Sequence, residues 1–192
     1  MKKIAIFASG SGSNFEAIVK AYGRGELNAE PAVCVCDKPG AGVTERARRL
    51  NVPVIVASPR DFENKAAYET FLADKLHELD IELICLAGYM RLIGPTLLEQ
   101  FPERIINIHP SLLPAFKGAH AIRDAFEYGV KVYGVTIHFV DESLDGGKII
   151  SQSAFPYTGN DMDELESMIH ATEHELYPKT INSLLNSKIS QL

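Results

Sequence analysis

The sequence has few cysteines, no surplus of basic charge and no long apolar run. Its three cysteines, Cys34, Cys36 and Cys85, lie in apolar stretches without disulfide spacing, which predicts buried free thiols in a reducing compartment. The formal net charge of −6 argues against an electrostatic grip on nucleic acid. No segment approaches the roughly 18 apolar residues of a membrane span, and no signal peptide precedes the first strand. These absences predict a cytoplasmic protein that binds neither nucleic acid nor membrane.

The composition is that of an ordinary globular protein. Hydrophobic residues make up 46% and charged residues 23% of the 192 residues, which excludes disorder and fits a single domain over residues 1–192. Apolar strands alternate with amphipathic helices through the first two thirds, which predicts βαβ units and a parallel sheet. The predicted strands of this part are Lys3–Ala8, Val33–Cys36, Val54–Ala57, Leu83–Ala87 and Ile105–His109.

The pattern changes after Tyr128. Two further strands, Tyr133–Val140 and Lys148–Phe155, are joined by a turn-rich segment typical of a hairpin. A long helix, Asp161–Leu185, follows, and we expect it to break near Pro178 because proline lacks the amide donor. The predicted class is therefore α/β and Rossmann-like, a mostly parallel sheet with antiparallel C-terminal strands and helices on both faces.

A glycine-rich turn, Ser9-Gly10-Ser11-Gly12-Ser13-Asn14, separates the first strand from the first helix. Glycine allows a tight turn, and free amides at a helix N-terminus suit an anion. The turn could hold a single phosphate, hold a dinucleotide with Asp37 on the ribose, or be structural only. The third glycine of the dinucleotide fingerprint is replaced by Phe15, so we favour a phosphate.

A second polar motif, Asn107-Ile108-His109-Pro110-Ser111, ends the fifth strand. Strand alternation puts Asn107 and His109 on one face, at the sheet edge where parallel strands present ligand sites. An amide can donate to a developing oxyanion and an imidazole can move a proton. Asp145 lies in a Leu-Asp-Gly-Gly turn, where it is either a solvated turn former or the partner of His109.

Two more segments have ambiguous patterns. The loop Gly88–Ile93 follows the fourth strand. It could either form one side of a pocket for an aromatic ring or pack on the core. His170-Ala171-Thr172-Glu173-His174 matches the H-x-x-E-H pattern of some zinc proteases. No third ligand is evident beyond it, so we expect no metal and interpret Glu173 as a surface or substrate-facing acid.

Taken together, these segments resemble the phosphoribosylglycinamide formyltransferases, a family of folate-dependent enzymes of early purine synthesis. The resemblance runs from the Gly-Ser-Gly-Ser-Asn turn to Glu173-His174-Glu175-Leu176-Tyr177-Pro178, and Asn107–Pro114 is its most specific stretch. It implies the formyltransferase fold, a monomer or homodimer, and 10-formyltetrahydrofolate as co-substrate without a metal. It implies transfer of the formyl group to the amine of N1-(5-phospho-D-ribosyl)glycinamide.

The resemblance also implies residue roles. Asn107, His109 and Asp145 match the catalytic trio. The nucleotide would be held by Gly12, Ser13, Asn14, His170, Ala171, Thr172 and Glu173. The folate would be held by Lys65, Met90, Arg91, Leu92, Ile93 and Asn107 and by Asp141, Glu142, Ser143, Leu144 and Asp145. Lys65 stands where the family often has arginine, so it lacks the bidentate fork for a carboxylate.

Other activities remain open from the sequence. A formyltetrahydrofolate hydrolase shares the trio but carries a regulatory domain ahead of it, and a methionyl-tRNA formyltransferase carries an RNA-binding domain after it. We expect neither extension in 192 residues. A nicotinamide-dependent oxidoreductase would use the Gly10/Gly12 turn with Asp37, and a non-catalytic nucleotide-binding module would bind without turnover.

Overall fold

The computed structural model describes residues 1–186, which form an α/β fold around one mixed sheet. The strands are β1 Lys2–Phe7, β2 Ala29–Cys36, β3 Val54–Val56, β4 Ile81–Leu86, β5 Ile105–His109, β6 Val132–Phe139 and β7 Ile149–Pro156. The helices are α1 Ser13–Gly23, α2 Gly42–Arg49, α3 Lys65–Glu78, α4 Pro95–Gln100, α5 Ala121–Tyr128 and α6 Met162–Asn186, with a 3₁₀ turn at Pro59–Asp61.

The sheet confirms the predicted class. Its strand order is β3-β2-β1-β4-β5-β6-β7, with parallel pairing from β3 to β5 and antiparallel pairing of β5 with β6 and of β6 with β7. The order reverses at β1, whose neighbours are β2 and β4. Such a reversal opens a crevice at the carboxyl ends of the strands, where ligands bind in open α/β sheets.

Helices pack on both faces of the sheet, because the strand residues that point to each face are apolar. Ile4 and Ile6 of β1 pack with α1, α2, α5 and α6, and Ala5 and Phe7 pack with α3 and α4. All four side chains are fully buried. A strand buried on both faces has no room for polar side chains, so functional groups here must lie beyond the strand ends.

Strand β2 begins four residues earlier than the predicted Val33. The apolar run is interrupted by Glu30 and Pro31, which hid this part of the strand from sequence reasoning. Pro31 is tolerated because β3 pairs only with residues from Cys34 onward. One side of β2 is therefore free at Pro31, as at an edge strand where a missing amide donor does no harm.

The predicted break near Pro178 is wrong. Helix α6 continues through it from Met162 to Asn186, although proline inside a helix costs about 3 kcal/mol relative to alanine. Tyr177 and Ile181 are fully buried on the sheet, and the Tyr177 hydroxyl donates to the carbonyl of Leu86 at 2.9 Å. This tertiary packing offsets the local cost.

No helix within residues 1–186 is long and apolar enough to cross a bilayer.

Candidate active site

A cavity of about 600 Å³ lies at the carboxyl ends of the central strands. It brings together most of the residues predicted from the sequence, although they come from segments far apart in the chain. The predicted residues among its lining are 12–14, 90–93 and 141–145, with Asn107, His109, His170 and Glu173.

The first wall is the glycine-rich turn between β1 and α1. Gly12 has φ of 79° at the start of α1, and a Cβ there would lie 2.5 Å from Val43 Cγ2. Both the left-handed backbone and the close approach therefore require glycine. Gly12 has no side chain to cap the helix, so the first-turn amides of α1 are left for another partner.

A hydrogen bond between Asn14 of α1 and Glu173 of α6 adds helix α6 to this wall. Asn14 Nδ2 donates to Glu173 Oε2 at 2.9 Å, and both side chains are buried. His170 Nδ1 lies 2.9 Å from the same carboxylate oxygen, and this hydrogen bond raises the pKa of His170. Asn14 Oδ1 is buried without a partner among the described residues, so an acceptor remains for a ligand.

Three predicted site residues do not line the cavity. Ala171 and Thr172 lie on the same helix as His170 and Glu173 but on another face, because positions three apart share a face and adjacent ones do not. Thr172 donates to the carbonyl of Met168 instead. Lys65, at the start of α3, has its Nζ 3.9 Å from Glu69 Oε1 and lies outside the lining.

The second wall is the loop after β4. Met90 and Leu92 are each 65% exposed, a large exposure for apolar side chains, and both line the cavity. Arg91 donates through Nε to Asp37 at 2.8 Å. The other oxygen of Asp37 accepts from the Ser9 hydroxyl at 2.5 Å, so this buried carboxylate is engaged on both oxygens. The dinucleotide interpretation, which needs Asp37 free for a ribose, is not favoured.

Strands β5 and β6 supply the polar floor of the cavity. Asn107 is directly opposite His138 in the antiparallel register, and Asn107 Nδ2 lies 3.3 Å from His138 Nε2. His138 Nδ1 lies 2.8 Å from the carbonyl of Phe139. A carbonyl only accepts, so Nδ1 carries the proton and Nε2 accepts from the Asn107 amide. Burial lowers the pKa of His138, which favours this neutral form.

Asp145 approaches both imidazoles from the turn between β6 and β7. Its Oδ2 lies 3.5 Å from His109 Nδ1 and its Oδ1 3.8 Å from His138 Nε2. Asp145 has φ of 47°, a conformation that Asp adopts more readily than most residues. The carboxylate predicted from the sequence thus lies close to the imidazole of His109, and both line the same cavity as Asn107.

The segment after β5 closes over this cluster. His109 Nε2 donates to the carbonyl of Phe116 at 2.8 Å, and the Gly118 amide donates to Asp145 Oδ2 at 2.8 Å. These two contacts connect the 116–118 segment to both members of the His–Asp pair. His109 is only 4% exposed as a result.

Within the described residues, no metal site accompanies the polar cluster. Among residues 1–186, no group of three or more His, Cys, Asp and Glu side chains is arranged to hold a metal ion. His170 and His174 stack with their ring centroids 6.3 Å apart, and His170 is engaged with Glu173. The arrangement that the structure does contain, hydrogen-bond donors and a carboxylate beside a deep cavity, suits acyl transfer.

Comparison with known proteins identifies the class. A formyl transferase family profile matches residues 2–181, and the chain belongs to the formyl transferase family. Over 186 residues the chain is 51% identical to phosphoribosylglycinamide formyltransferase of Bacillus subtilis, covering 96% of this chain and 95% of that protein.

Solved structures agree with this assignment. Glycinamide ribonucleotide transformylase 1 from Geobacillus kaustophilus superposes with a TM-score of 0.93 at 54% identity, covering 96% of this chain and 99% of that one. Phosphoribosylglycinamide formyltransferase from Bacillus halodurans superposes with a TM-score of 0.92 at 50% identity, covering 100% of this chain and 98% of that one. This chain shares its fold and its family with both of these solved structures.

Sequence reasoning missed His138 and the contact between Asp37 and Arg91. His138 lies inside an apolar strand, and a buried histidine in such a strand is a signal that could have been followed. Asp37 was considered only as a ribose ligand, whereas it holds Arg91. Neither contact has a sequence signature, because the partners are 31 and 54 residues apart.

Proposed function

We propose that this enzyme transfers the formyl group of 10-formyltetrahydrofolate to the amine of N1-(5-phospho-D-ribosyl)glycinamide, in de novo purine synthesis. The products are the N-formyl nucleotide and tetrahydrofolate. The observation that carries the proposal is the approach of Asp145 to His109, at 3.5 Å, on the same cavity as Asn107. A carboxylate, an imidazole and an amide around one point are what formyl transfer needs.

The nucleotide is assigned to the α1 side of the cavity. The backbone amides at Gly12, Ser13 and Asn14 suit the 5′-phosphate, because a helix N-terminus favours an anion. Glu173 is buried in the cavity wall and is hydrogen-bonded to Asn14 and His170. These hydrogen bonds hold its carboxylate in place to accept from hydroxyl or amine groups of the ribosyl glycinamide. His170 lies beside it, whereas Ala171 and Thr172 have no such placement.

The folate is assigned to the opposite wall. Met90 and Leu92 present apolar surface that a flat pterin ring would cover. The segment 141–145 lines the same cavity, with Leu144 half-exposed. Lys65 remains a candidate for the acidic tail. A Cβ on Gly94, the residue after the loop segment 90–93, would lie 2.8 Å from Lys65 Cε, and the exposed ammonium of Lys65 can pair with a carboxylate as a point charge.

The proposed chemistry assigns a distinct role to each polar group. The neutral amine attacks the formyl carbon, whose oxygen becomes an oxyanion. One amide proton of Asn107 is engaged with His138, which leaves the second to donate to that oxyanion. The imidazolium form of His109, paired with the Asp145 carboxylate at Nδ1, would add positive charge. The amine proton passes by way of Asp145 to N10, and the carbon–N10 bond breaks.

The direct test supplies both substrates and follows the deformylated folate by absorbance. We expect turnover that requires the nucleotide and produces one formylated nucleotide for each folate released. Folate release at the same rate without nucleotide would favour the hydrolase alternative and contradict the transferase. Saturable NADH binding with no folate binding would instead support an oxidoreductase.

We further propose that residues 1–192 form one catalytic domain acting in the cytoplasm, as a monomer or homodimer. Elements from both ends of the described chain support the single domain, since β1 and α6 contribute to the same core cluster. The three cysteines are free and buried, and burial raises the pKa of Cys34 to about 12. Unreactive thiols of this kind are compatible with a reducing compartment.

A further inference from the structure

The loop between β4 and α4, residues 88–94, is held at both ends by buried carboxylates from other parts of the chain. Asp37, at the end of β2, holds the first half of the loop, and Glu69, on α3, holds the second. Both side chains are nearly inaccessible to solvent, with Asp37 2% and Glu69 3% exposed. Buried carboxylates are costly to keep unless every oxygen has a partner, so these two acids require an explanation.

Asp37 acts on the loop along two routes. Its Oδ2 accepts from Arg91 Nε at 2.8 Å. Its Oδ1 accepts from the Ser9 hydroxyl, which in turn accepts from the amide of Met90 at 2.9 Å. The amide can only donate, so the hydroxyl proton must point to Asp37, and the direction of the chain is fixed. Two consecutive loop residues are thus connected to one carboxylate.

Glu69 holds the other end of the loop. Its Oε1 accepts from the amide of Gly94 at 2.6 Å, and its Oε2 accepts from the amide of Leu97 at 3.2 Å. Gly94 precedes α4, whose first turn would otherwise have free amides. A Cβ on Gly94 would lie 2.8 Å from Glu69 Oε2, so the glycine allows this close approach.

Between these two attachments, Met90 and Leu92 remain 65% exposed. Their position therefore depends on polar contacts to the loop backbone and to Arg91 more than on burial of their own side chains. A loop held this way is already ordered before a ligand arrives, and binding then loses less conformational entropy.

We infer that Asp37 and Glu69 are positioning residues that set the affinity for the folate donor without taking part in the chemistry. This inference rests on the proposed function, which assigns residues 90–93 to the folate. It separates the two acids from Asp145, which lies 3.5 Å from the imidazole of His109. Neutralising either acid should weaken donor binding and leave the nucleotide side and the chemical step unchanged.

The test compares Asp37→Asn and Glu69→Gln with the wild-type protein in steady-state kinetics. We expect KM for 10-formyltetrahydrofolate to rise roughly tenfold, because charge-assisted bonds to the loop are lost. KM for the nucleotide and kcat should change less than about twofold. Calorimetric titration with tetrahydrofolate should show the same loss in binding.

Asp161→Ala is the matched control. Asp161 accepts from the amides of Asp163 and Glu164 at the start of α6, so the variant also removes a carboxylate that caps a helix. Asp161 does not line the cavity. Thermal unfolding of all variants measures the stability change. We expect Asp161→Ala to unfold at a lower temperature than the wild type, with both KM values unchanged.

Several results would overturn the inference. They are an equal rise in both KM values, a fall in kcat alone, or a lower unfolding temperature with tetrahydrofolate binding unchanged. If Asp37→Asn does not fold, Glu69→Gln and Ser9→Ala test the two ends separately. A wild-type protein that binds tetrahydrofolate but transfers no formyl group would contradict the proposed function alone, and the calorimetric comparison would still decide the inference.

Discussion

The parallel and antiparallel parts of the sheet provide functional groups in different ways. From β1 to β4, the cavity is lined by residues at or beyond the carboxyl ends of the strands, at 10–14 and 86–93. In β5 and β6, the cavity residues Asn107, His109 and His138 are part of the strands. The first region presents mostly backbone groups and apolar side chains, and the second presents polar side chains.

This difference follows from how each strand is covered. Strands β1 to β4 have only parallel partners and are apolar on both faces because helices pack on each, so their functional groups must come after the strand. Strand β5 is parallel to β4 but antiparallel to β6. Antiparallel pairing instead places Asn107 opposite His138 and His109 opposite Thr136. Direct cross-strand neighbours have close Cβ atoms, which holds polar side chains in contact without a loop. We therefore expect substitutions in the first region to change binding and those in the second to change the rate.

The largest expected effect comes from His109→Ala in the antiparallel region. Loss of the imidazole should lower kcat by roughly 10²–10³, as for removal of one group that stabilises the oxyanion. Both KM values should change little, and the circular dichroism spectrum should remain that of the wild type. Turnover near the wild-type value would contradict the role of His109 and the contrast between the regions.

A smaller effect on rate is expected from His138→Phe. An aromatic ring is kept but the acceptor for Asn107 Nδ2 is lost, so kcat should fall about tenfold as the amide loses its orientation. The same change at His77, an exposed residue stacked on Phe101, is the control and should leave kcat unchanged. A large rise in nucleotide KM for His138→Phe would place this residue with the binding groups instead.

In the parallel region, Gly12→Ala should act on binding. The backbone at Gly12 has φ of 79° and a Cβ would contact Val43 at 2.5 Å, so the turn must shift at a cost of about 1–3 kcal/mol. We expect the nucleotide KM to rise about tenfold with the folate KM unchanged. Gly23→Ala, on the same helix with open space around it, should behave as wild type. Equal effects from the two variants would contradict the requirement for glycine.

The smallest expected effect is a pH dependence at His170. Its hydrogen bond to Glu173 raises its pKa above 6.5 in the folded state. The stabilisation by this pair is therefore complete below pH 6.5 and is lost as the pH rises through the folded-state value. The gap in unfolding temperature between wild type and His170→Gln, measured from about pH 5.5 to about pH 9, should narrow with rising pH. A gap that widens with pH would reverse the sign and refute the pairing.

Much of the fold was predictable because hydrophobic period and turn residues are local properties. The strands of the first half and the hairpin after Tyr133 followed from them. The prediction failed at the start of β2, where Glu30 and Pro31 interrupt the apolar run, and at Pro178, where proline indicated a break that helix α6 does not have. At both positions tertiary structure changes the outcome, since β2 has a free side at Pro31 and α6 is packed on the sheet at Tyr177.

The candidate site was predicted less evenly. Asn107 and His109 could be paired from strand alternation alone, and the structure places both on the cavity. Ala171 and Thr172 were included as part of a continuous motif, yet a helix presents only some of four consecutive residues to one side. The contact of His138 with Asn107 and the contact of Asp37 with Arg91 could not be predicted, because each depends on a partner brought close by the sheet order.

The sequence by itself determined the class of the fold, the residue types available for chemistry and the glycine at the turn after β1, because these depend on local periodicity and backbone freedom. The tertiary structure alone decided which of those residues meet. It brought Asp145 within 3.5 Å of His109, placed His138 against Asn107 and connected Asp37 to Arg91. The physical reason is that contact between distant residues is set by strand order and register, which emerge only when the whole sheet is packed.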